Sequence, residues 1–346
     1  MNERIEITTL TDGGQQPPVI ARELAAFLDG ATTSLDVAQY DFNLGDETKA
    51  IVGDAIRRAA ARGVKIRFMF NVDHANPIPV PPPPEPDVKL IATLPVDGKA
   101  IAGIPDLMHH KYVIRDGGTV WTGSMNWTDD SWSRQENVVV VVRSPAIAKA
   151  FELDFGQLWA TGDVAQSGFV DPRWDDGIRV WMTPGHGEDL SSRVAKLIRR
   201  ARVRVRICSP VITTGPVLGT LAQVIADHAV DLAGCVDATQ VREVVHQWRL
   251  NQNVSWKLPL LRQVMAGPFT GKNSQPWADG SVHDFMHAKI TVCDDTAFVG
   301  SFNLSRSGER NAENVLEIKD PGIADRLAAY VDDVRARYQP VTLPQE

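Results

Sequence analysis

The stretch Met108-His109-His110-Lys111-Tyr112-Val113-Ile114-Arg115-Asp116 decides the fold, because the chain contains it twice. The second copy is Met286-His287-Ala288-Lys289-Ile290-Thr291-Val292-Cys293-Asp294. Both copies read His-x-Lys-x-x-x-x-Asp, and each is followed by a Gly-Ser-x-Asn turn, at residues 123–126 and 300–303. The repeat predicts one duplicated site rather than two unrelated motifs.

The residues downstream of each histidine keep the same order and nearly the same spacing. Counted from the histidine, the lysine stands at +2 in both copies, the serine at +15 and +14, the asparagine at +17 and +16, and the glutamate at +27 and +26. One residue lost between the aspartate and the glycine of the second copy accounts for every difference. On this alignment Glu136 and Glu313 are equivalent positions.

Each motif reads as a strand that presents its histidine and lysine on one face. Side chains alternate along an extended strand, so residues two apart emerge on the same side. Residues 112–114 and 290–292 supply the aromatic and β-branched side chains that buried strands favour. Residues 120–122 and 297–299 read as return strands that lead into the two turns. The histidine, lysine and asparagine of each copy are therefore expected to converge at the carboxyl end of a sheet.

This set of side chains suits a tetrahedral anion. Lysine binds phosphate as a point charge, and serine, asparagine and backbone N–H groups can hydrogen-bond the remaining oxygens. Near pH 7 a histidine can act as a nucleophile or as a proton donor. A carboxylate from Glu136 or Glu313 at the far ring nitrogen would fix the tautomer of the imidazole. The sequence therefore predicts a site for a phosphate group.

These residues resemble the phospholipase D superfamily, whose signature is a doubled His-x-Lys-x4-Asp motif followed by Gly-Ser-x-Asn. The resemblance covers both halves of the chain and implies a phosphohistidine intermediate on one histidine, while the other protonates the leaving group and later activates water, with no metal and no cofactor. It implies a nucleophile and an acid/base, His109 and His287; phosphate-holding residues Lys111, Lys289, Asn126 and Asn303; supporting Ser124 and Ser301; histidine-orienting Glu136 and Glu313; and structural Asp116 and Asp294. Which histidine attacks stays open, because the copies are nearly equivalent.

The rest of the chain predicts an α/β fold. Amphipathic helical patterns at 47–62 and 217–228 precede strand patterns at 64–70 and 230–236, which is the order of parallel β-α-β units. Together with the resemblance, this predicts two similar halves packed as a pseudo-twofold phospholipase D-like fold, each with a mixed, largely parallel sheet flanked by helices. The predicted boundaries are residues 1–165 for the first half, 166–179 for a linker and 180–346 for the second half.

Three further segments carry local predictions. The proline cluster at 77–86 predicts an extended, stiff connector near the rim of the site. Residues 89–91 resume strand character. Residues 247–281 have weak periodicity and three tryptophans, which predicts an irregular loop that either packs locally or supplies an apolar wall at the site mouth. Tyr40 reads as part of a core strand or of the site floor.

Composition sets the outer limits of function. The 346 residues include 36 Lys+Arg against 43 Asp+Glu, so a net charge of −7 gives no overall bias toward nucleic acid or an anionic membrane. Three widely spaced cysteines form neither a disulfide framework nor a metal motif and predict reduced thiols in a cytoplasmic protein. Neither a secretory leader nor a membrane-spanning run is expected. The internal duplication predicts a monomer.

Three functions fit these observations. Two motifs in one chain, tryptophan-bearing loops and an acidic balance favour hydrolysis or exchange of phospholipid head groups, with the substrate presented at a membrane surface. An endonuclease of the same superfamily that cleaves DNA or RNA is the alternative, favoured by the sequence Asn126-Trp127-Thr128. An inactive phosphate-binding scaffold is the third, and two intact motifs argue against it.

Overall fold

The computed structural model describes residues 4–73, 86–228, 230–251, 256–276, 278 and 280–343. The strands of the first half are β1 (Ile5–Leu10), β2 (Ser34–Gln39), β3 (Phe42–Asn43), β4 (Lys65–Val72), β5 (Asp97–Ala102), β6 (Lys111–Arg115), β7 (Thr119–Gly123), β8 (Trp127–Thr128) and β9 (Asn137–Arg143). Its helices are α1 (Pro17–Asp29), α2 (Asp46–Ala61), α3 (Val88–Thr93), α4 (Asp129–Ser133) and α5 (Pro145–Thr161).

The second half repeats this order. Its strands are β10 (Trp174–Asp175), β11 (Ile178–Thr183), β12 (Arg204–Cys208), β13 (Asp231–Asp237), β14 (Phe269–Lys272), β15 (Ile290–Cys293), β16 (Thr296–Gly300), β17 (Glu313–Lys319) and β18 (Gln339–Pro340). Its helices are α6 (Gly187–Arg200), α7 (Gly215–Ala226), α8 (Ala238–Asn251), α9 (Lys257–Met265), α10 (Arg306–Arg310) and α11 (Pro321–Ala336). Among the described residues, no helix is long and apolar enough to cross a membrane.

The two main sheets have matching strand orders. The first runs β1-β9-β7-β6-β2-β4-β5, and the second contains the equivalent series β11-β17-β16-β15-β12-β13-β14, extended by β10 and β18. This confirms the duplicated, mixed α/β fold. The expectation of largely parallel sheets is wrong, because the first sheet has four antiparallel pairings and two parallel ones within the described strands. Each motif strand returns through a tight hairpin, and a hairpin makes its strands antiparallel neighbours.

The aspartate of each motif closes that hairpin and ties it to the adjacent strand. Asp116 and Asp294 both adopt a left-handed backbone, with φ of 52° and 50°. The Asp116 carboxylate accepts hydrogen bonds from the backbone N–H groups and hydroxyls of Thr32 and Thr33 and from the Ser34 N–H. Asp294 accepts from the equivalent N–H groups of residues 202–204. Both aspartates therefore lie at the opposite end of the motif strand from its histidine, where they hold the adjacent strand by hydrogen bonds.

The hydrophobic core has a shared central part and two outer parts. The central cluster draws from both halves and includes Phe151 of α5, Leu327 of α11 and the two methionines Met108 and Met286 that precede the histidines. The outer clusters each belong to one half, beneath α1 and α2 in the first half and beneath α6, α7 and α9 in the second. The shared cluster packs the two sheets against each other through α5 and α11, and it thereby fixes the relative position of the two motifs.

Two local predictions are wrong. Residues 89–91 lie in α3 and not in a strand, because Asp87 caps the helix by accepting a hydrogen bond from the Leu90 N–H at 2.9 Å. The segment 247–281 is not an irregular loop throughout, since α9 and β14 lie within it and Leu261, Val264 and Met265 of α9 are buried. The prolines at 77–85 and Trp277 lie outside the described residues.

Candidate active site

The two motifs meet across the boundary between the halves. The backbone N–H of His109 donates to the carbonyl oxygen of Ala312 at 2.9 Å, and the N–H of His287 donates to the carbonyl oxygen of Glu136 at 3.1 Å. The preceding methionines form the matching bridges Met108–Ala312 and Met286–Glu136. The backbone of each histidine is thus hydrogen-bonded to the residue just before the first strand residue, Glu313 or Asn137, of the opposite half. The two halves therefore build a single site.

The glycine of each Gly-Ser-x-Asn turn is required by the close approach of the neighbouring strand. A Cβ on Gly123 would lie 2.0 Å from the Val138 carbonyl oxygen, and one on Gly300 would lie 2.1 Å from that of Asn314. Any side chain here would push β7 from β9 or β16 from β17. The glycines therefore bring the following serines within reach of the residues that hold the histidines.

The His109 ring is oriented by a carboxylate from the second half. Its Nδ1 lies 2.8 Å from Glu313 Oε2, and Glu313 has no exposure to solvent. Burial raises the pKa of Glu313 to about 7, although the charge of Lys111 and a hydrogen bond from Ser301 oppose the rise. Because an acceptor holds Nδ1–H, the ring nitrogen Nε2 carries the lone pair.

The His287 ring is held by an amide from the first half. Its Nδ1 lies 3.1 Å from Asn137 Oδ1, which also accepts the Ser124 hydroxyl at 2.7 Å. The Asn137 Nδ2 donates to the Ser131 carbonyl oxygen at 3.0 Å, which fixes the orientation of the amide. Ser124 and Asn137 therefore do for His287 what Ser301 and Glu313 do for His109, but with a neutral group in place of a carboxylate.

The two halves differ in register at this point. β9 begins with Asn137 and β17 begins with Glu313, and these first residues pair with the last residues of β1 and β11, Leu10 and Thr183. The segment that joins the Gly-Ser-x-Asn turn to its strand is therefore one residue longer in the first half. Asn137, rather than its neighbour, occupies the position of Glu313.

Glu136 has a different environment from the one expected. It is fully buried against Lys272, whose Nζ lies 3.1 Å from Glu136 Oε2, and its other oxygen accepts from the Tyr338 hydroxyl. Its structural counterpart in the second half is Ala312. The predicted contact between this carboxylate and a site histidine is wrong, because the register change turns the side chain toward the boundary between the halves.

The two lysines are pre-positioned by their own motifs. Lys111 Nζ donates to the His109 carbonyl oxygen at 2.6 Å, and Lys289 Nζ donates to the His287 carbonyl oxygen at 2.6 Å. The Tyr40 ring packs against both groups of the first motif, with its centroid 4.5 Å from the His109 ring and 4.6 Å from Lys111 Nζ. Tyr40 therefore forms the site floor, which was one of its two predicted roles.

The electrostatics show that the four motif side chains lie close enough to shift each other's pKa values. Burial lowers the pKa of His109 well below its usual value, and the nearby charges of Lys111 and Lys289 lower it further. Burial and the same two lysines act on His287 in the same direction. Burial also lowers the pKa of Lys111 to about 7 and that of Lys289 well below its usual value. A bound phosphate would favour the protonated forms of all four groups, because it supplies the missing negative charge.

The asparagines of the two turns, Asn126 and Asn303, have side-chain oxygens that no described residue holds. Asn126 Oδ1 and Asn303 Oδ1 are both buried without a hydrogen-bond partner within the described ranges. Their equivalent positions in the two halves argue against chance. Buried polar atoms normally have partners, so the two amides are available to a ligand between the motifs.

Sequence reasoning missed several residues around the site. Asn137 was hidden by the apparent alignment of its neighbour. His110 follows the first motif histidine, yet it is buried in the core with its Nε2 3.0 Å from Asp154 Oδ2. Asp41 follows Tyr40 and is buried beside the site. The polar residues interleaved in the strand pattern that ends at 42 were the available signal for Asp41.

The described residues contain no group of three or more His, Cys, Asp or Glu side chains that could hold a metal ion. The reaction without metal or cofactor stays a prediction.

The protein-family model described as "Cardiolipin synthase, PLD-like domain" matches residues 24–159 and 194–335, most of the chain. The chain belongs to this phospholipase D-like family. Among curated proteins, this chain is 36% identical over 62 residues to "Mitochondrial cardiolipin hydrolase" of Xenopus laevis. The match covers 18% of this chain and 30% of that protein. It is 24% identical over 158 residues to the Homo sapiens protein of the same name, covering 46% of this chain and 58% of that protein. The phospholipase D-like chain thus spans between about a third and three fifths of the length of these relatives.

Two solved structures share the fold of this phospholipase D-like protein over nearly its whole length. Phosphatidylserine synthase of Haemophilus influenzae superposes with a TM-score of 0.65 at 14% identity, covering 99% of this chain and 87% of that one. Polyphosphate kinase of Porphyromonas gingivalis superposes with a TM-score of 0.59 at 12% identity, covering 95% and 50%. At such low identity these likenesses show the fold alone.

Proposed function

We propose that this phospholipase D-like protein hydrolyses or exchanges phospholipid head groups through a covalent phosphohistidine intermediate. The observation that carries the proposal is the paired arrangement of two histidines, each held at Nδ1 by a residue of the opposite half. With Nδ1 occupied, both rings can direct Nε2 at one phosphorus between Lys111 and Lys289. This arrangement supplies a nucleophile and a proton carrier on either side of a phosphodiester.

The proposed reaction has two steps. One histidine Nε2 attacks phosphorus, the bond from phosphorus to the head-group oxygen breaks, and the second histidine gives its proton to the departing alkoxide. Water, or an acceptor alcohol, then loses a proton to the second histidine and attacks phosphorus, which releases the first histidine. The lysines and the amides of Asn126 and Asn303 offset the charge on the phosphate oxygens in both steps.

The asymmetry between Glu313 and Asn137 supports His109 as the nucleophile. Phosphorylation of a histidine held at Nδ1 creates a positive ring, and a carboxylate at 2.8 Å stabilises that charge better than an amide at 3.1 Å. A histidine held by an amide is the weaker base, hence the stronger acid once protonated. His287 is also partly exposed whereas His109 is buried, which suits exchange of protons with water.

Three observations support a phospholipid over a nucleic acid. The matching family model is named for cardiolipin synthase, and the curated relatives are cardiolipin hydrolases. The chain has a net charge of −7. Three carboxylates, Asp41, Asp129 and Asp130, line a cavity next to the first motif. A polynucleotide places further phosphates near the one that reacts, and carboxylates repel them.

The substrate class is tested by comparing mixed micelles of phosphatidyl substrates with single- and double-stranded DNA, all with EDTA present. We expect release of head-group alcohol and no DNA cleavage. Cleavage of DNA without any lipid turnover would transfer the assignment to a nuclease.

The histidine roles are tested with bis(p-nitrophenyl) phosphate, whose leaving group needs no protonation. His287→Asn should still release one equivalent of p-nitrophenol rapidly and then stall with an acid-labile adduct on His109. His109→Asn should show no burst, and both should lose at least about 10³-fold in steady-state kcat. His246→Asn, at an exposed histidine of α8, is the control. A burst in His109→Asn with the adduct on His287 would reverse the assignment.

A further inference from the structure

A cavity of about 520 Å³ opens beside the first motif. Its wall on one side is Asp41 with Asp129 and Asp130 at the start of α4, and on the other side it includes His283. Asp41 directly follows Tyr40, whose ring contacts His109 and Lys111. The cavity therefore lies beside the first motif, and the charge of Lys111 acts on the Asp41 carboxylate that lines it.

Asp41 is the buried member of this acidic wall. It is only 5% exposed, and its Oδ1 has no hydrogen-bond partner within the part of the chain that the structure describes. Burial raises the pKa of Asp41 to about 8, Asp130 adds to the rise, and Lys111 opposes it. A buried acceptor without a donor is costly unless a ligand supplies one.

Arg134 and His283, the basic residues among those that line the cavity, do not neutralise its carboxylates. Arg134 lines the cavity, but its Nε is engaged by Asp12 at 2.7 Å. The His283 Nδ1 lies 3.6 Å from Asp130 Oδ2, and burial lowers the pKa of that ring, which favours its neutral form. The hydrogen bonds to Asp129 and Asp130 come instead from uncharged groups, such as the Thr48 hydroxyl and the Ser131 N–H.

The second half has no equivalent of these carboxylates. Thr128 caps α4 and Ser305 caps α10, so the residues that follow the caps, Asp129 and Asp130, correspond to Arg306 and Ser307. The bridge from Ile212 to Leu304 matches the pair Phe42–Trp127, so Asp41 corresponds to Val211. The duplicated fold thus does not require an acidic wall. Because only the first half has these carboxylates, the two substituents of a bound phosphodiester would meet different surroundings.

We propose that this cavity binds the ammonium group of an amino-alcohol head group, and so makes amino-alcohol phospholipids the preferred substrates. The inference rests on the proposed function, because it places the leaving alcohol of that reaction. An ammonium group supplies the donors that Asp41 lacks and the charge that balances the wall. A volume of about 520 Å³ holds such a group with its hydration.

The test compares phosphatidylethanolamine with phosphatidylglycerol in the same uncharged detergent micelles. We expect the wild-type kcat/KM to favour the ethanolamine lipid by about tenfold or more, since one charge-assisted contact is worth that much. Asp41→Asn and Asp130→Asn should each reduce this preference at least about fivefold while leaving the glycerol lipid within about twofold. Two variants are used because either could perturb folding. Asp54→Asn, on the exposed face of α2, is the matched control.

Turnover of bis(p-nitrophenyl) phosphate separates this inference from the proposed function. If this ester and both lipids are cleaved without a preference for ethanolamine, or if the preference survives both variants, the cavity inference is overturned and the reaction stands. A wild-type preference for the glycerol lipid that Asp41→Asn removes would assign the cavity to a neutral polyol and overturn it as well. If no lipid is cleaved, the proposed function fails and this inference fails with it.

Discussion

Glu313→Gln is the substitution that most directly tests how the site works. Glu313 Oε2 lies 2.8 Å from His109 Nδ1 in a fully buried position. Glutamine keeps the length of the side chain and an oxygen acceptor, and it removes only the charge. Asn137 holds His287 at 3.1 Å in the equivalent position, which shows that an amide there is compatible with a seated histidine.

The expected magnitude follows from that single contact. A hydrogen bond to a charged group contributes about 1.5–3 kcal/mol, and a neutral one about 0.5–1.5 kcal/mol. The loss of about 1–2 kcal/mol falls on the step that makes the His109 ring positive, so that step should slow about 5- to 30-fold. This is far less than the loss expected for His109→Asn, because the nucleophile and its orientation remain.

The assay is the pre-steady-state burst with bis(p-nitrophenyl) phosphate, since its rate reports formation of the phosphohistidine alone. Glu136→Gln is the informative companion, because sequence spacing makes Glu136 the equivalent of Glu313 while the structure pairs it with Lys272 and Tyr338. We expect Glu136→Gln to lower the melting temperature and to leave the burst rate of the folded enzyme unchanged. Equal slowing of the burst by both variants would refute the structural register and the argument built on it.

Three further outcomes are expected. Lys111→Arg should shift the alkaline limb of the kcat/KM profile to higher pH. The protonated Lys111 that binds phosphate is present below its pKa of about 7 and is lost as pH rises through that value, whereas arginine stays charged. An unchanged alkaline limb would exclude Lys111 as its origin. Asp116→Asn should destabilise the fold by about 2 kcal/mol in urea titration without changing kcat of the folded protein. Burial tends to raise the pKa of Asp116, but hydrogen-bond donors from residues 32–34 hold it below its usual value. The stability that this carboxylate contributes is therefore present above the usual pKa and is lost as pH falls through the lowered one. Unchanged stability of the variant at neutral pH would contradict this. EDTA should leave lipid turnover unchanged. If EDTA abolished turnover and a divalent metal restored it, the reaction would need that metal.

The sequence alone determined the features that depend on local spacing. His-x-Lys places both side chains on one face of a strand, and the repeat of that pattern predicted two similar halves. The helical segment 47–62 and the strand 64–70 were confirmed as α2 and β4 because their apolar periods match what those elements bury. The sequence also showed that the glycines at 123 and 300 belong to turns, whereas the close approach of β9 and β17 gives the reason that these positions need glycine.

Only the tertiary structure decided which residues face each other across the halves. Glu136-Asn137 and Glu313-Asn314 align in sequence, yet one additional residue before β9 puts Asn137 where Glu313 stands. In a strand, a shift of one residue turns a side chain to the opposite face, so Glu136 points at Lys272 and Asn137 points at His287. The sequence contains the inserted residue but not the pairing that reveals it, because strand register is set by contacts between segments far apart in the chain.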